Sequence, residues 1–336
     1  MTTIATTWLG LDLPSPVVAS SSPMTGDLDS LRRLADAGIG AVILPSLFEE
    51  QIVHESRDLH AMLVETAWNS PEAAGGYFPE LDDYNTGPDR YLAHLEAAVG
   101  AIDVPVVASL NGISLGGWLA HAVSLESAGA AAIELNVYRL AADVRDEPWE
   151  IEDDLVDIVG RVVDAVEVPV TVKLSPYWSA TANLAARLAR SGARGMSLFN
   201  RFYQPDIDID TRDVVPRLAL SSPDELLLPL RWVAVLYGRV DASLAITTGV
   251  HDAVGVAKAL LAGADVAMMA SALLRRGPGL VATILGDLQE WMAEQDYSSV
   301  DQLRGSASQQ AVHDPDAFVR ANYLQTLTSW STPLPT

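Results

Sequence analysis

Ala128-Gly129-Ala130-Ala131-Ala132-Ile133-Glu134-Leu135-Asn136-Val137 joins an Ala/Leu-rich stretch to a short apolar run, with a glycine at the joint. A glycine there can end a helix in the left-handed conformation, where a Cβ is costly, just before the chain enters a strand. The same joint recurs at Ala37-Gly38-Ile39, Ser191-Gly192-Ala193 and Ala262-Gly263-Ala264. Outward from these joints, strand-like runs fall at Pro16–Ser20, Ala41–Leu44, Val104–Leu110, Ala131–Val137, Val168–Leu174, Arg194–Phe199, Ser243–Thr247 and Asp265–Ala270. Helical stretches lie near Leu28–Ala37, Arg90–Ala101, Leu115–Ala128, Ile151–Val166, Ala180–Arg190, Glu225–Tyr237, Ala253–Leu261 and Leu280–Glu294. Strands alternating with helices imply right-handed βαβ units and a parallel sheet. Eight units predict an α/β fold of the (β/α)8 TIM-barrel type. No G-x-G-x-x-G follows any strand, which argues against an open dinucleotide-binding sheet.

A length of 336 residues fits one barrel domain over 1–336, with a tail over 295–336 packed on it and a terminal helix near Asp316–Thr328. Two long connections, Pro45–Asp89 and Asn200–Asp224, follow the second and sixth predicted strands. Both therefore belong to the C-terminal rim, where barrels place their active sites, and read as lid and pocket walls. Hydrophobic residues make up 49% of the chain, yet no window reaches the run needed to span a membrane. The N-terminus lacks a basic segment followed by an apolar run, so no export signal is read and a cytoplasmic location is expected. There is no cysteine, which excludes disulfides, cysteine metal sites, a thiol nucleophile and an iron–sulfur cluster carried on this chain; no metal site is expected. Twenty-one basic against 44 acidic residues give a net charge of −23, a surface that repels nucleic acid and anionic membranes.

Chemistry concentrates in Val170-Thr171-Val172-Lys173-Leu174-Ser175-Pro176-Tyr177. Side chains alternate along a strand, so Val170, Val172 and Leu174 suit the helix-facing side and Lys173 turns into the barrel. An interior lysine needs an anionic or strongly dipolar partner. One candidate partner is internal, because the same alternation turns Glu134 and Asn136 inward on the neighbouring strand. A Glu134–Lys173 ion pair without a ligand is therefore one reading, and a lysine aimed at a bound cofactor is the other.

At these residues the sequence resembles the dihydroorotate dehydrogenase family. Leu9 to Ser20 is similar to the family's opening hairpin and first strand, Val107-Ala108-Ser109-Leu110-Asn111-Gly112 to its third strand, and Ile133-Glu134-Leu135-Asn136-Val137 to its "E-L-N" strand. Val172-Lys173-Leu174 resembles its "V-K-L", and Ser197-Leu198-Phe199-Asn200 the strand ending in Asn. Thr248-Gly249-Val250 and Ala270-Ser271-Ala272-Leu273 resemble its paired phosphate loops, and Tyr297 to Gly305 its C-terminal stretch. The likeness covers most of the chain in order. It implies an FMN-binding barrel in which Asn136 and Lys173 contact the flavin ring, where a fixed cation stabilises the charge of reduced flavin. It further implies that Asn200 bonds the substrate, and that Ser20 and Ser109 are lesser cofactor candidates. The phosphate is expected on Thr248, Gly249, Ala270 and Ser271, at the loops after the last two strands.

The substrate half departs from the family's pattern. Its Cys or Ser base falls at Arg139, an expected substrate Asn at Ala141, and the expected substrate Lys at Pro45. The Asn-rich loop after the second strand is replaced by Phe48-Glu49-Glu50-Gln51-Ile52-Val53-His54-Glu55. Tyr138, Arg139, His54 and His251 are the side chains able to supply acid–base or anion-binding groups; Tyr138 and Arg139 are taken as the catalytic candidates, and His54 with Asn200 as substrate-binding candidates. The resulting expectation is a flavin oxidoreductase moving hydride between flavin N5 and a C–C bond of a small, cyclic substrate other than dihydroorotate. A Schiff-base lyase using Lys173 and a non-catalytic relative are the alternatives. A soluble electron acceptor or a redox partner protein is expected, with neither nucleic acid nor membrane involved. A homodimer is one of the assemblies the sequence leaves open.

Overall fold

Eight short parallel strands close on themselves, and the four glycine joints explain how the chain turns into them. In the computed structural model, which describes residues 2–48, 87–111, 115–202, 204–215 and 218–319, the strands are β1 Thr6–Trp8, β2 Leu11–Leu13, β3 Val17–Ala19, β4 Ala41–Phe48, β5 Val106–Asn111, β6 Ala132–Asn136, β7 Val170–Leu174, β8 Gly195–Leu198, β9 Asp206–Ile207, β10 Val214–Val215, β11 Ser243–Thr247 and β12 Val266–Met269. The barrel order is β11-β12-β3-β4-β5-β6-β7-β8, every adjacent pair parallel. Gly38, Gly129, Gly192 and Gly263 have φ of +90°, +94°, +98° and +118°, the left-handed values that favour glycine over any side chain. This is the (β/α)8 TIM barrel that the alternating pattern predicts.

Outward residues of the strands, among them Val42, Ile133, Leu135, Val170, Val172 and Leu174, pack on the helices in one large apolar core. A second, smaller apolar cluster fills the barrel interior: Trp8, Leu9 and Leu13 from the β1–β2 hairpin meet Val18, Ala41, Ile43, Val107, Ala132, Ala245, Val266 and Met268. The hairpin lies across the N-terminal ends of the strands. The Thr6 hydroxyl donates to the Asp265 carbonyl, and the Leu9 amide donates to the Ser243 hydroxyl at 3.0 Å. Gly195 leaves the space for Leu9, since a Cβ there would stand 2.3 Å from Leu9 Cδ2.

Three boundaries differ from the sequence reading. The second barrel strand runs on to Phe48 instead of stopping at Leu44, so Pro45–Phe48 is strand and not loop. The register shifts between Ile43 and Ser46, which pair with Val107 and Ser109. This bulge accommodates a proline that cannot donate to a regular ladder. The long 200–224 connection contains the short β9–β10 hairpin. A six-residue helix, Ser271–Arg276, intervenes between β12 and the helix Leu280–Glu294. Of the predicted terminal helix, Asp316–Val319 is helical and the remainder lies outside the described residues. The preceding segment is fastened to the barrel by the amides of Gly305, Ala307 and Gln309, which donate to the carbonyls of Leu260, Leu261 and Ala234.

Candidate active site

Above the apolar plug the inward face becomes polar, most densely along β4–β8, with Ser20 and Thr247 adding to it at the ends of β3 and β11. Register places Ser109, Glu134 and Thr171 side by side, and one pleat higher Asn111, Asn136, Lys173 and Ser197. Glu134 is fully buried, and its two carboxylate oxygens accept from the hydroxyls of Ser109 and Ser197, each at 3.4 Å. The Lys173 ammonium stands 3.6 Å from the same carboxylate. The ion pair allowed by strand alternation is thus present. Burying two charges costs several kcal/mol per ion unless each is partnered, and here every charge has a partner. From the helix Pro88–Ala101, on the outer side of the strands, the Tyr91 hydroxyl accepts from the Ser109 amide at 3.0 Å. Burial pushes the Tyr91 phenol well above its ordinary range; the hydrogen bond to Ser109 opposes this and the charge of Glu134 adds to it.

The network climbs to the mouth. The Ser46 and Ser109 hydroxyls are 2.8 Å apart, the Asn136 amide donates to Ser46 at 3.3 Å, and Asn200 donates to the Asn136 carbonyl oxygen at 2.7 Å. Ser46 faces inward only because the bulge at Pro45 resets the alternation of β4. Ser46 and Asn111 are half-buried, Asn136 and Lys173 retain a sliver of accessible surface at 8% and 7%, and Ser109 is sealed at 0%. The accessible polar surface of the mouth is thus formed by Ser46, Asn111, Asn136, Lys173 and Asn200.

Over the same rim, Tyr138 stacks on Phe202 with centroids 4.0 Å apart, and Tyr177 meets Phe202 edge-on at 5.5 Å. Three loops, those after β6, β7 and β8, are thus tied by aromatic rings. Arg139 does not join this cluster. It is exposed, 3.4 Å from Asp154, and lines a cavity of about 350 Å³ with Leu140, Glu152, Ser175, Tyr177 and Trp178.

Farther round the rim from Lys173, past β8, the loops after β11 and β12 lie beside a third segment from the loop after β8. Thr248 has φ +83°, unusual for a β-branched residue, and its hydroxyl donates to the Phe199 carbonyl at 3.2 Å. Gly249 has φ +79°, and a Cβ on it would stand 2.2 Å from the Leu226 amide nitrogen. Its glycine is required by the packing of the Pro223–Leu226 turn. Ala270 keeps a negative φ of −128°, which alanine tolerates. The Ser271 hydroxyl oxygen accepts from the Ser221 amide at 3.0 Å, and the Ser221 hydroxyl is 3.1 Å from His251 Nε2. Arg275 donates to the carbonyls of Ser221 and Leu220.

The structure therefore brings Asn136, Lys173 and Asn200 together at the mouth, with Tyr138 on the adjacent rim. It places Thr248, Gly249, Ala270 and Ser271 on neighbouring loops, and Ser20, buried at 3%, just beyond the end of β3. His54 and the acidic run around it lie outside the described residues. Sequence reasoning missed Ser46, Tyr91, Phe202, Ser221 and Arg275. Strict alternation hides Ser46 behind a bulge. Tyr91 sits on a helix as an ordinary apolar-face residue, and the others belong to loops without periodicity.

A barrel with a buried amide–ammonium layer at its C-terminal mouth defines the class to which the comparisons assign the chain. The sequence profile of the dihydroorotate dehydrogenase family matches residues 80–292, and the chain belongs to that family. It is 26% identical over 318 residues to "Dihydroorotate dehydrogenase B (NAD(+)), catalytic subunit" of Methanothermobacter thermautotrophicus, covering 90% of this chain and 98% of that one. Proteins of the same name from Desulforudis audaxviator and Thermoplasma volcanium are 26% and 25% identical, over 89% and 91% of this chain and 95% and 99% of theirs.

Proposed function

We propose that the protein is an FMN-dependent oxidoreductase that transfers hydride at a C–C bond of a small unsaturated substrate other than dihydroorotate. The observation that carries this reading is the in-register pair Asn136 and Lys173, held at the barrel mouth and bridged to Asn200. The groups present fit a flavin: a fixed cation and an amide on β6 and β7, and farther round the rim small-residue loops that carry the Ser271 hydroxyl. Bound FMN would supply two-electron chemistry at flavin N5. Lys173 would hold a positive charge where the reduced ring gathers negative charge, and Asn136 would donate and accept hydrogen bonds at its edge. Asn200, bonded to Asn136, would orient the substrate. Tyr138, ring-stacked on Phe202, would place a phenolic proton over the same rim.

Arg139 argues against dihydroorotate. A guanidinium stays protonated at physiological pH and cannot serve as the base needed to remove a C–H proton. Losing a positioned base costs about 10²–10⁴ in rate. The relatives are named as catalytic subunits that use NAD(+); with no cysteine in this chain, an iron–sulfur relay to such an acceptor would have to be carried by another subunit. The Schiff-base alternative has less support, because the Lys173 nitrogen is engaged in an ion pair with Glu134.

Protein purified with FMN available is expected to be yellow and to release FMN on denaturation. Colourless protein that also fails to bind added FMN by calorimetry would overturn the flavin reading. In anaerobic stopped-flow mixing, dihydroorotate is expected to bleach the flavin slowly or not at all. Rapid bleaching would overturn the exclusion of dihydroorotate and require a base other than Arg139.

A further inference from the structure

We infer that the cavity between the loops after β6 and β7 is a second ligand site, built for a small zwitterion that joins a carboxylate and an ammonium to an apolar body, the chemistry of a free apolar α-amino acid. The inference goes beyond the flavin reading and does not depend on it, because none of Asn136, Lys173 and Asn200 lines this cavity. Its volume of about 350 Å³ lies at the lower end of the range for small-molecule pockets, so its occupant is small.

Arg139 is the partner for the negative end. Its ion pair with Asp154 is long at 3.4 Å and exposed, with the two side chains 39% and 64% accessible, so it contributes little. A guanidinium carries five donors in a planar fork, and Asp154 takes one of them, which leaves the fork able to grip a carboxylate. Glu152 is the partner for the positive end, a charged side chain on the cavity wall that is buried at 6%. The Ser179 hydroxyl donates to one of its oxygens at 2.8 Å, and Arg187 stands 3.5 Å from the other. Arg187 is also bonded to Asp153, so one guanidinium serves two carboxylates and negative charge is left over at the wall. Asp146, on the exposed side of the cavity, adds to that surplus. An ammonium, with three donors, meets it, since a carboxylate with two partners still has lone pairs to offer.

Between these ends the wall is apolar. Leu140, Pro148 and Ile151 together with the rings of Tyr177 and Trp178 suit an aliphatic or aromatic body. Tyr177 also ties the site to the mouth: it meets Phe202 edge-on, and Phe202 stacks on Tyr138. A ligand held between Arg139 and Glu152 therefore braces the two loops that carry Tyr138 and Tyr177.

The test is calorimetric titration of the full-length protein as purified with L-phenylalanine and L-leucine. Two analogues of phenylalanine are titrated beside them: hydrocinnamate, which keeps the carboxylate alone, and phenethylamine, which keeps the ammonium alone. The wild type is expected to bind phenylalanine about tenfold or more tighter than either analogue, since each lacks one charge-assisted contact. Arg139→Met should abolish the preference over phenethylamine without weakening phenethylamine itself. Glu152→Gln should abolish the preference over hydrocinnamate without weakening hydrocinnamate. A merely structural effect would weaken all the ligands together. Because Glu152 is buried and paired, Asp146→Asn, at an exposed position, is the second variant for the ammonium end. Three results would each overturn the assignment: no saturable binding of either amino acid at millimolar concentration, an analogue that binds as well as phenylalanine, or preferences unchanged in Arg139→Met or in both acid variants. The flavin reading stands or falls separately, on the colour of the same preparation.

Discussion

At Lys173 the demands of folding and of chemistry meet on one nitrogen. Its ion pair with the fully buried Glu134 predicts that Lys173→Met leaves a buried carboxylate without its cation, at a cost of about 3–5 kcal/mol. Combining Lys173→Met with Glu134→Gln should restore most of that loss, because both charges then leave the interior. Urea unfolding of the single and double variants checks this, and a single-variant cost under about 1 kcal/mol would contradict the pair's structural weight. In flavin-loaded Lys173→Met, the reduction potential should fall. A second residue-scale expectation follows from His251, whose folded-state pKa is depressed by burial and Arg275. A depressed imidazole favours folding in its neutral form, so its contribution is held above the ordinary value of about 6.5 and lost as pH falls through the folded one. Without cofactor, the melting temperature of the wild type should drop more steeply on acidification than that of His251→Gln; parallel curves would rule this out. Glu134, Asn136 and Lys173 were legible in the sequence because a two-residue period fixes which way each points. Ser46 was not, because one inserted residue at Pro45 reverses the period.

Elements show the same division between what repeats and what does not. The four helix-to-strand joints share one left-handed glycine design, yet their surroundings differ and so should their tolerance. A Cβ on Gly129 would sit 3.4 Å from Val99 Cγ1, on Gly192 2.7 Å from Val163 Cγ1, and on Gly263 2.4 Å from the Tyr237 ring. Alanine at Gly129 should therefore cost only the conformational penalty of about 1–2 kcal/mol. Gly192→Ala should cost more, since a valine must shift. Gly263→Ala should cost most, since Tyr237 is also hemmed in by Gly305. Denaturation midpoints in that order are the expected outcome, and a reversed order would show that neighbour packing does not govern these joints. The strands and helices were readable because each repeats one period and one punctuation mark. The Ser271–Arg276 helix and the β9–β10 hairpin were not: one is too short for a periodic signal, and the other is held by only two ladder pairs.

For the whole molecule, a net charge of −23 means that folding gathers like charges together. Raising salt to about 1 M, where the Debye length is about 3 Å, should lift the melting temperature by several degrees, as scanning calorimetry would register. A flat salt response would mean that local pairs such as Arg187 with Glu152 and Arg304 with Asp301 already offset the excess. The hairpin that carries Trp8 into the base of the barrel has a consequence for traffic. With Trp8, Leu9 and Leu13 buried among the inward side chains, the barrel is a cul-de-sac and not a corridor. Among the described residues no path reaches Lys173 from below. A molecule that reaches it arrives and departs by the strands' C-terminal ends, so two reactants that both need that end must queue.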